Sequence, residues 1–305
     1  MELYKQFRPD TFDKVVGNRA VVGSLKNSVA QGEVPHTILF SGPSGCGKTT
    51  LARILARELG CAPQDYNETN SANFRGIDSA REIITQMAYA PSGGKCRVWV
   101  MDECHKITDD AWNALLKPME DTPDHVYFFL CTTNPEKLPK TIRTRCQPHD
   151  VQALSPEDIG KGILIPVCKA RGIRPPMEIL KLIATECMGS SRVALQTLEK
   201  VAGLPEDQMA EAAKTMISRE SQVNQLCQLL LKKSKDWSEM ATIIKGLTEE
   251  PESIRRAVLG YMNVVLLNSG NSRAYGIAGC FEKDYFTTGK TGLTMSCFDA
   301  MFGLG

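Results

Sequence analysis

The sequence predicts an α/β domain built on a parallel sheet, followed by segments that are helical only, and three observations carry that reading. Short continuous apolar runs, "HTILFSG" (36–42), "CRVWVMDE" (96–103) and "HVYFFLCTTN" (125–134), alternate with stretches of helical character. Runs without polar alternation are what strands buried on both faces require, and such strands belong to parallel sheets with helices on each side. Each run ends in a glycine or in polar residues, at the strand end where open α/β sheets gather their chemistry. After about residue 152 the strand-like runs stop and only helical patterns remain.

The elements follow in order. Behind the first run, "TTLARILARELG" (49–60) places Leu51, Ile54, Leu55 and Leu59 at helical spacing and ends at Gly60. In the helical part, "SPEDIGKGILIPVCKARGI" opens with Ser155 as N-cap, Pro156 at the first helical position and Asp158 completing a capping-box-like signal. "PPMEILKLIATECMGSSRVALQTLEKVAGL" reads as two more short helices, and from about residue 218 another helical block includes "ESIRRAVLGYMNVVLLN" (252–268). Internal repeats and low-complexity stretches are absent from the sequence. The expected segments are 1–152, 153–217 and 218–305.

Composition narrows the class. With 305 residues, 42% hydrophobic and 23% charged, the chain has the make-up of a soluble globular protein of two or three domains. A net charge of +1 means that any nucleic-acid contact must come from a local arrangement of charge. The 11 cysteines are odd in number and scattered, with no Cys-x-x-Cys pair, so neither a disulfide framework nor a zinc module is expected. That usage suits a reducing cytoplasm. The polar opening "MELYKQFRPD" and the lack of a long apolar run exclude a signal peptide and a membrane span at this stage.

"GPSGCGKT" (42–49) matches G-x-x-x-x-G-K-[ST] between an expected strand and an expected helix, the context this phosphate-binding motif needs. Gly42, Gly45 and Gly47 allow the tight turn that aims backbone N–H groups at phosphate oxygens, and Pro43, Ser44, Cys46 and Thr50 complete the cradle. Lys48 would reach the β- and γ-phosphates of ATP, and Thr49 would help hold Mg²⁺. In "VWVMDECH", Asp102 at a strand end is placed to hold Mg²⁺ directly or through water, and Glu103 to polarise an attacking water. His105 reads as structural. Asn134, ending "CTTN", would contact the water or the γ-phosphate, or else serve as a turn residue before Pro135.

Over roughly residues 1–200 the chain resembles the AAA+ ATPases of sliding-clamp loaders. The resemblance is carried by "YKQFRPDTFDKVVGN", "GPSGCGKTT", "NSANFRGIDSAREI", "MDECHKITDDAWNALLKPMEDTPDHVYFFLCTTNPEKLPKTIRTRC" and "GSSRVALQTLEK". The bacterial polymerase III gamma/tau subunits and the small subunits of replication factor C are both similar. It implies an AAA+ P-loop sheet, a helical lid and a helical collar. It also implies ATP hydrolysis with Mg²⁺ in a homo- or hetero-oligomer, expected to be a pentamer, that opens a ring clamp and loads it on primer–template DNA. One departure concerns zinc: the gamma/tau family carries a cysteine cluster after the P-loop helix, whereas "CAPQDYNETNSANF" holds only Cys61. Zinc is not expected, and the departure suggests a phage-type or otherwise divergent loader.

The resemblance also assigns roles. A Ser-Arg-Cys sequence in these proteins carries an arginine finger that crosses to a neighbouring subunit's ATP; here Thr144 replaces the serine while Arg145 and Cys146 align. Without the resemblance, a surface arginine paired with a carboxylate is the simpler reading of Arg145. Arg192 matches the lid arginine that reaches the phosphates, with a solvated helix arginine as its alternative. Tyr4, Arg8, Pro9, Val15 and Val16 match the strap that flanks adenine. Arg75, Gly76, Ile77, Arg81, Lys106 and Thr108 match positions that track the DNA backbone, and Met87 and Tyr89 match the clamp-facing helix, where helix-end packing is the alternative. Two competing functions share the P-loop: a DNA motor of the branch-migration helicase type, and a subunit that binds nucleotide without hydrolysing it.

Overall fold

The three apolar runs form the interior strands of a five-stranded parallel sheet. In chain order the strands are β1 (Thr37–Ser41), β2 (Tyr66–Asn70), β3 (Arg97–Asp102), β4 (Val126–Thr132) and β5 (Gln147–Asp150), and in space the order is β2-β3-β4-β1-β5. Side chains alternate between two cores along each central strand. Ile38, Phe40, Val98, Val100, Phe129 and Cys131 face one core; Leu39, Trp99, Met101, Phe128 and Leu130 face the other. The short α1 (Leu3–Gln6) opens the chain, and α2 (Arg19–Gln31) and α3 (Lys48–Glu58) cover the first core. The second is covered by α4 (Ile77–Met87), α5 (Asp109–Glu120) and α6 (Lys140–Arg143).

The edge strands escape the apolar-run criterion. "YNETN" and "QPHD" each have a partner on one side only, so neither needs a continuous apolar run. Pro148 is tolerated in β5 because an edge strand can lose an N–H without breaking a ladder. The P-loop helix stops as its glycine suggests, with Gly60 at φ 76°.

Beyond the sheet, the Ser155 signal is real: its hydroxyl accepts from Asp158 N at 3.0 Å and donates to the Asp158 carboxylate at 2.8 Å. The chain then takes a wide π turn over Asp158–Leu164 before α7 (Ile165–Arg171), where a plain α-helix is expected from sequence. Gly160 and Gly162 weaken the α register there, and Pro166 has no N–H to return to the carbonyl four residues back. Next come α8 (Met177–Glu186), α9 (Ser191–Val201) and α10 (Glu206–Glu220).

This computed structural model describes residues 2–70, 76–220, 222–232, 236–247 and 250–303, and the chain divides into two compact units, Met1–Met209 and Ala210–Gly305. The sheet and helices α1 to α9 lie in the first. The second contains α11 (Gln222–Leu231), α12 (Trp237–Gly246), α13 (Pro251–Ser269), α14 (Ser272–Cys280) and α15 (Gly289–Phe298). Leu226, Leu230, Met240, Val258, Ile277, Phe281 and Leu293 lie in its core. Buried Glu252 anchors this unit by accepting from Arg255 and Arg256 and from Tyr285 N at 3.0 Å. Among the described residues no helix is long and apolar enough to cross a membrane.

Candidate nucleotide site

The glycine loop between β1 and α3 is shaped by what it touches. Gly42, Gly45 and Gly47 have φ of 141°, 74° and 105°, a region that side chains other than glycine rarely adopt. A Cβ on Gly42 would lie 2.0 Å from the Val151 carbonyl oxygen, and one on Gly45 would lie 2.1 Å from Ser190 Oγ. The loop is therefore wedged between the exit of β5 and the start of α9. Ser190 caps α9, accepting from Val193 N at 3.3 Å, and Ser191 Oγ donates to the Gly45 carbonyl at 3.0 Å. These contacts hold Arg192, in the first turn of α9, above the loop.

Lys48 and Thr49 start α3. Lys48 is buried, and its Nζ donates to the carbonyls of Gly42 and Pro43 at 2.8 Å each. Thr49 Oγ1 donates to Asp102 Oδ2 at 3.1 Å, tying the helix N-terminus to the end of β3. A hydroxyl and a carboxylate in contact are the hard oxygen donors that Mg²⁺ takes, so Thr49 and Asp102 fit that ion. Burial pushes the Cys46 thiol up to about 11, so it stays neutral, and its Sγ donates to the carbonyls of Ser44 and Gly189 at 3.7 Å each.

The strand ends bring the other candidates together. Glu103 sits at φ 51°, a strained position for a side-chain-bearing residue, and its N–H donates to Asp102 Oδ1 at 3.0 Å. Its Oε2 accepts from Thr133 Oγ1 at 3.4 Å and lies 3.5 Å from His105 Nδ1. His105 also lies 2.9 Å from Thr132 Oγ1. Asn134 is buried at the end of β4; its N–H donates to Thr132 Oγ1 at 3.0 Å and its Nδ2 lies 3.5 Å from Thr133 Oγ1. Nothing in the sequence around His105 marks it as a site residue; its contact with Glu103 is local, and its contact with Thr132 arises because β3 and β4 are neighbours.

A cavity of about 370 Å³ in the first unit gathers most of these groups. One wall is the loop from Ser44 to Thr50 with Asp102 and Glu103; another is Tyr4, Arg8, Pro9, Val15 and Val16; a third is Ile163, Pro166, Arg192 and Leu195. Arg192 lies over the Tyr4 ring, 5.7 Å from its centroid. Burial, with Arg53 and Arg192 nearby, lowers the Arg8 pKa from its ordinary value. Four cations, Arg8, Lys14, Lys48 and Arg192, thus line a cavity whose size suits a small polyanion. Gly42, Pro43 and Asn134 are not among its lining residues. Ile163, Pro166 and Leu195 escape sequence reading because lid residues reach the cavity only through packing.

Other candidates lie elsewhere. Arg145 does not line the cavity; its guanidinium pairs with Glu120, in keeping with the simpler reading of a surface arginine. Met87 is 5% exposed in the second core, which corrects its assignment as a clamp contact: a side chain packed there cannot meet a partner. Tyr89, two residues on, is 65% exposed. Gly76 and Ile77 start α4, where Arg81 is exposed and pairs with Asp78 at 3.2 Å. Lys106 is exposed before α5, and Thr108 caps that helix, accepting from Ala111 N at 3.4 Å. Arg75 lies outside the described residues.

Comparison with known proteins places these features in a context. The family described as "DNA polymerase III, delta subunit" matches residues 17–79 and 69–155. The DNA polymerase III subunit gamma/tau of Mycobacterium tuberculosis is 34% identical over 224 residues, 66% of this chain and 39% of that protein. The subunit tau of Bacillus subtilis is 30% identical over 308 residues, 92% of this chain and 54% of that protein. That of Escherichia coli is 33% identical over 232 residues, 69% and 36% respectively. The chain spans about half the length of these curated relatives or less. Among solved structures, the Thermotoga maritima RuvB Holliday junction branch migration motor superposes with a TM-score of 0.59 at 20% identity, covering 74% of this chain and 79% of that one. At that identity the likeness is one of fold.

Proposed function

Since the chain belongs to the AAA+ clamp-loader family related to the DNA polymerase III gamma/tau subunits, we propose that it is an ATP-hydrolysing subunit of a complex that loads a ring clamp onto primer–template DNA. The observation that carries the proposal is the cavity where the N-terminal strap, the glycine loop, the β3 carboxylates and Arg192 meet. In this reading Tyr4, Arg8, Pro9, Val15 and Val16 flank the adenine, and Lys48 leaves its loop carbonyls for the β- and γ-phosphates. Thr49 and Asp102 hold Mg²⁺, which draws charge from the phosphates when bound. Glu103 orients and polarises the attacking water, and Asn134, behind it, steadies that end of the site through Thr133. Arg192 closes the lid over the nucleotide.

Arg145 supplies a further cation to the next subunit's site. Its position outside the cavity of its own chain supports that role. The segments 1–152, 153–217 and 218–305 then act as nucleotide domain, lid and collar of a cytoplasmic pentamer. Gly76, Ile77, Arg81, Lys106 and Thr108 face the DNA backbone, and Tyr89 faces the clamp.

The test is ATP turnover by the assembled loader with clamp and DNA. Glu103→Gln should retain nucleotide binding and lose about 10²–10⁴-fold in turnover. Arg145→Ala should bind ATP normally as an isolated subunit, yet lose roughly 10³-fold or more of the stimulated rate. Normal stimulated turnover in Arg145→Ala would falsify the trans role. The fold likeness to a branch-migration motor makes a translocase the second reading, and strand displacement without any clamp would favour it.

A further inference from the structure

Arg145 is oriented by its own chain in a way that its role in a neighbouring site would use. It follows α6 and precedes β5, away from the cavity. Its Nε donates to Glu120 Oε1 at 2.8 Å, its Nη2 contacts the same oxygen, and its Nη1 donates to the Thr141 carbonyl at 2.6 Å. A guanidinium carries five N–H donors in a rigid plane, so two remain. With Nε and Nη2 taken along one flank, one N–H remains on each terminal nitrogen to donate to phosphate oxygens. The Arg145 side chain is 30% exposed and that of Glu120 is 48% exposed, so this pair lies at the surface.

We propose that Glu120, at the last turn of α5, is the positioning residue of the Arg145 finger: it holds the guanidinium side-on and presents the remaining N–H groups to the phosphates of an adjacent subunit. The inference rests on the reading of Arg145 as a trans-acting group. Charge and geometry pull in opposite directions here, which makes the idea decidable. A carboxylate beside the arginine weakens its attraction for phosphate, so if charge alone mattered, removing Glu120 would raise the rate. If orientation matters more, removing it lowers the rate, because a misplacement of about 1 Å can cost on the order of 10²-fold.

The experiment compares wild type, Arg145→Ala, Glu120→Gln, Glu120→Asp and the Arg145→Ala/Glu120→Gln double variant in the full loader with clamp and primer–template DNA. Glu120→Gln should lower the stimulated kcat by about tenfold or more while the KM for ATP and nucleotide binding by the isolated subunit stay unchanged. Glu120→Asp should recover part of the rate, and the double variant should be no slower than Arg145→Ala alone, since both act through one group. Turnover of Glu120→Gln at or above wild type overturns the proposal, and so does an additive loss in the double variant. If Arg145→Ala turns over normally, the trans role itself fails and takes this inference with it; an Arg145→Ala loss without a Glu120→Gln loss sinks only the positioning of Arg145 by Glu120.

Discussion

At the scale of single residues, local sequence carried most of the candidate site. Gly42, Gly45, Lys48 and Thr49 are neighbours in the chain, so their spacing alone announces a phosphate cradle. The contact of Thr49 with Asp102 at 3.1 Å joins residues 53 positions apart, and it yields a sharp expectation. Thr49→Val keeps the volume and removes the oxygen. Nucleotide affinity of this variant, measured by titration with and without Mg²⁺, should lose its dependence on the ion, while affinity without Mg²⁺ stays within about twofold of wild type. His105 and Met87 show where residue reading stops. A histidine two positions after a strand-end carboxylate and a methionine near a helix end carry no signal of their own. The adjacency of β3 and β4 sets one against Thr132, and the second core absorbs the other.

At the scale of elements, helix and strand interiors were legible and their edges were not. β1, β3 and β4 have continuous apolar interiors because both faces are covered, whereas β2 and β5 look like loops because edge strands need not be. The loop after α4 rests on a device without any motif. Asp65 is fully buried and accepts from the N–H groups of Ser92, Gly93 and Gly94 at 2.8, 2.9 and 3.2 Å, and from Arg97 Nη2 at 3.2 Å. Arg97 in turn donates to the carbonyls of Tyr89 and Ala90 at 3.4 and 3.2 Å, near the end of α4. Burial alone would raise the Asp65 pKa; the three N–H donors and the guanidinium outweigh it and hold the carboxyl below its ordinary value. A depressed pKa contributes stability above the unfolded value, about 3.9, and loses it as pH falls through the folded value. Asp65→Ala should therefore cost about 1–3 kcal/mol at pH 7, and urea denaturation should find the gap from wild type shrinking below roughly pH 4.

At the scale of the whole molecule, charge decides how DNA could be held. With a net charge of +1 the chain has no general attraction for a polyanion. The helix starts proposed to face DNA even carry acids: Asp78 lies in the first turn of α4, and Asp109 and Asp110 in that of α5. Favourable contact then rests on a few exposed cations, Arg81 and Lys106 among them, repeated by each copy in an oligomer. Arg81→Ala in every copy should weaken DNA binding by the assembled loader evenly across sequences, and should reduce the slope of log K against log salt by about 1 for each phosphate that Arg81 no longer neutralises. An unchanged slope removes Arg81 from the DNA-facing set.

The amino-acid sequence by itself determined the fold class, the phosphate loop, the strand-end carboxylates and the kinship, because each is written in neighbouring residues or in the periodicity of one element. Only the tertiary structure decided which distant groups share the cavity, that Met87 belongs to the core, and that Arg145 rests on Glu120. Those outcomes depend on which strand lies beside which and on which side chains the two cores can bury. Such contacts join residues far apart in the chain, where no local pattern constrains them.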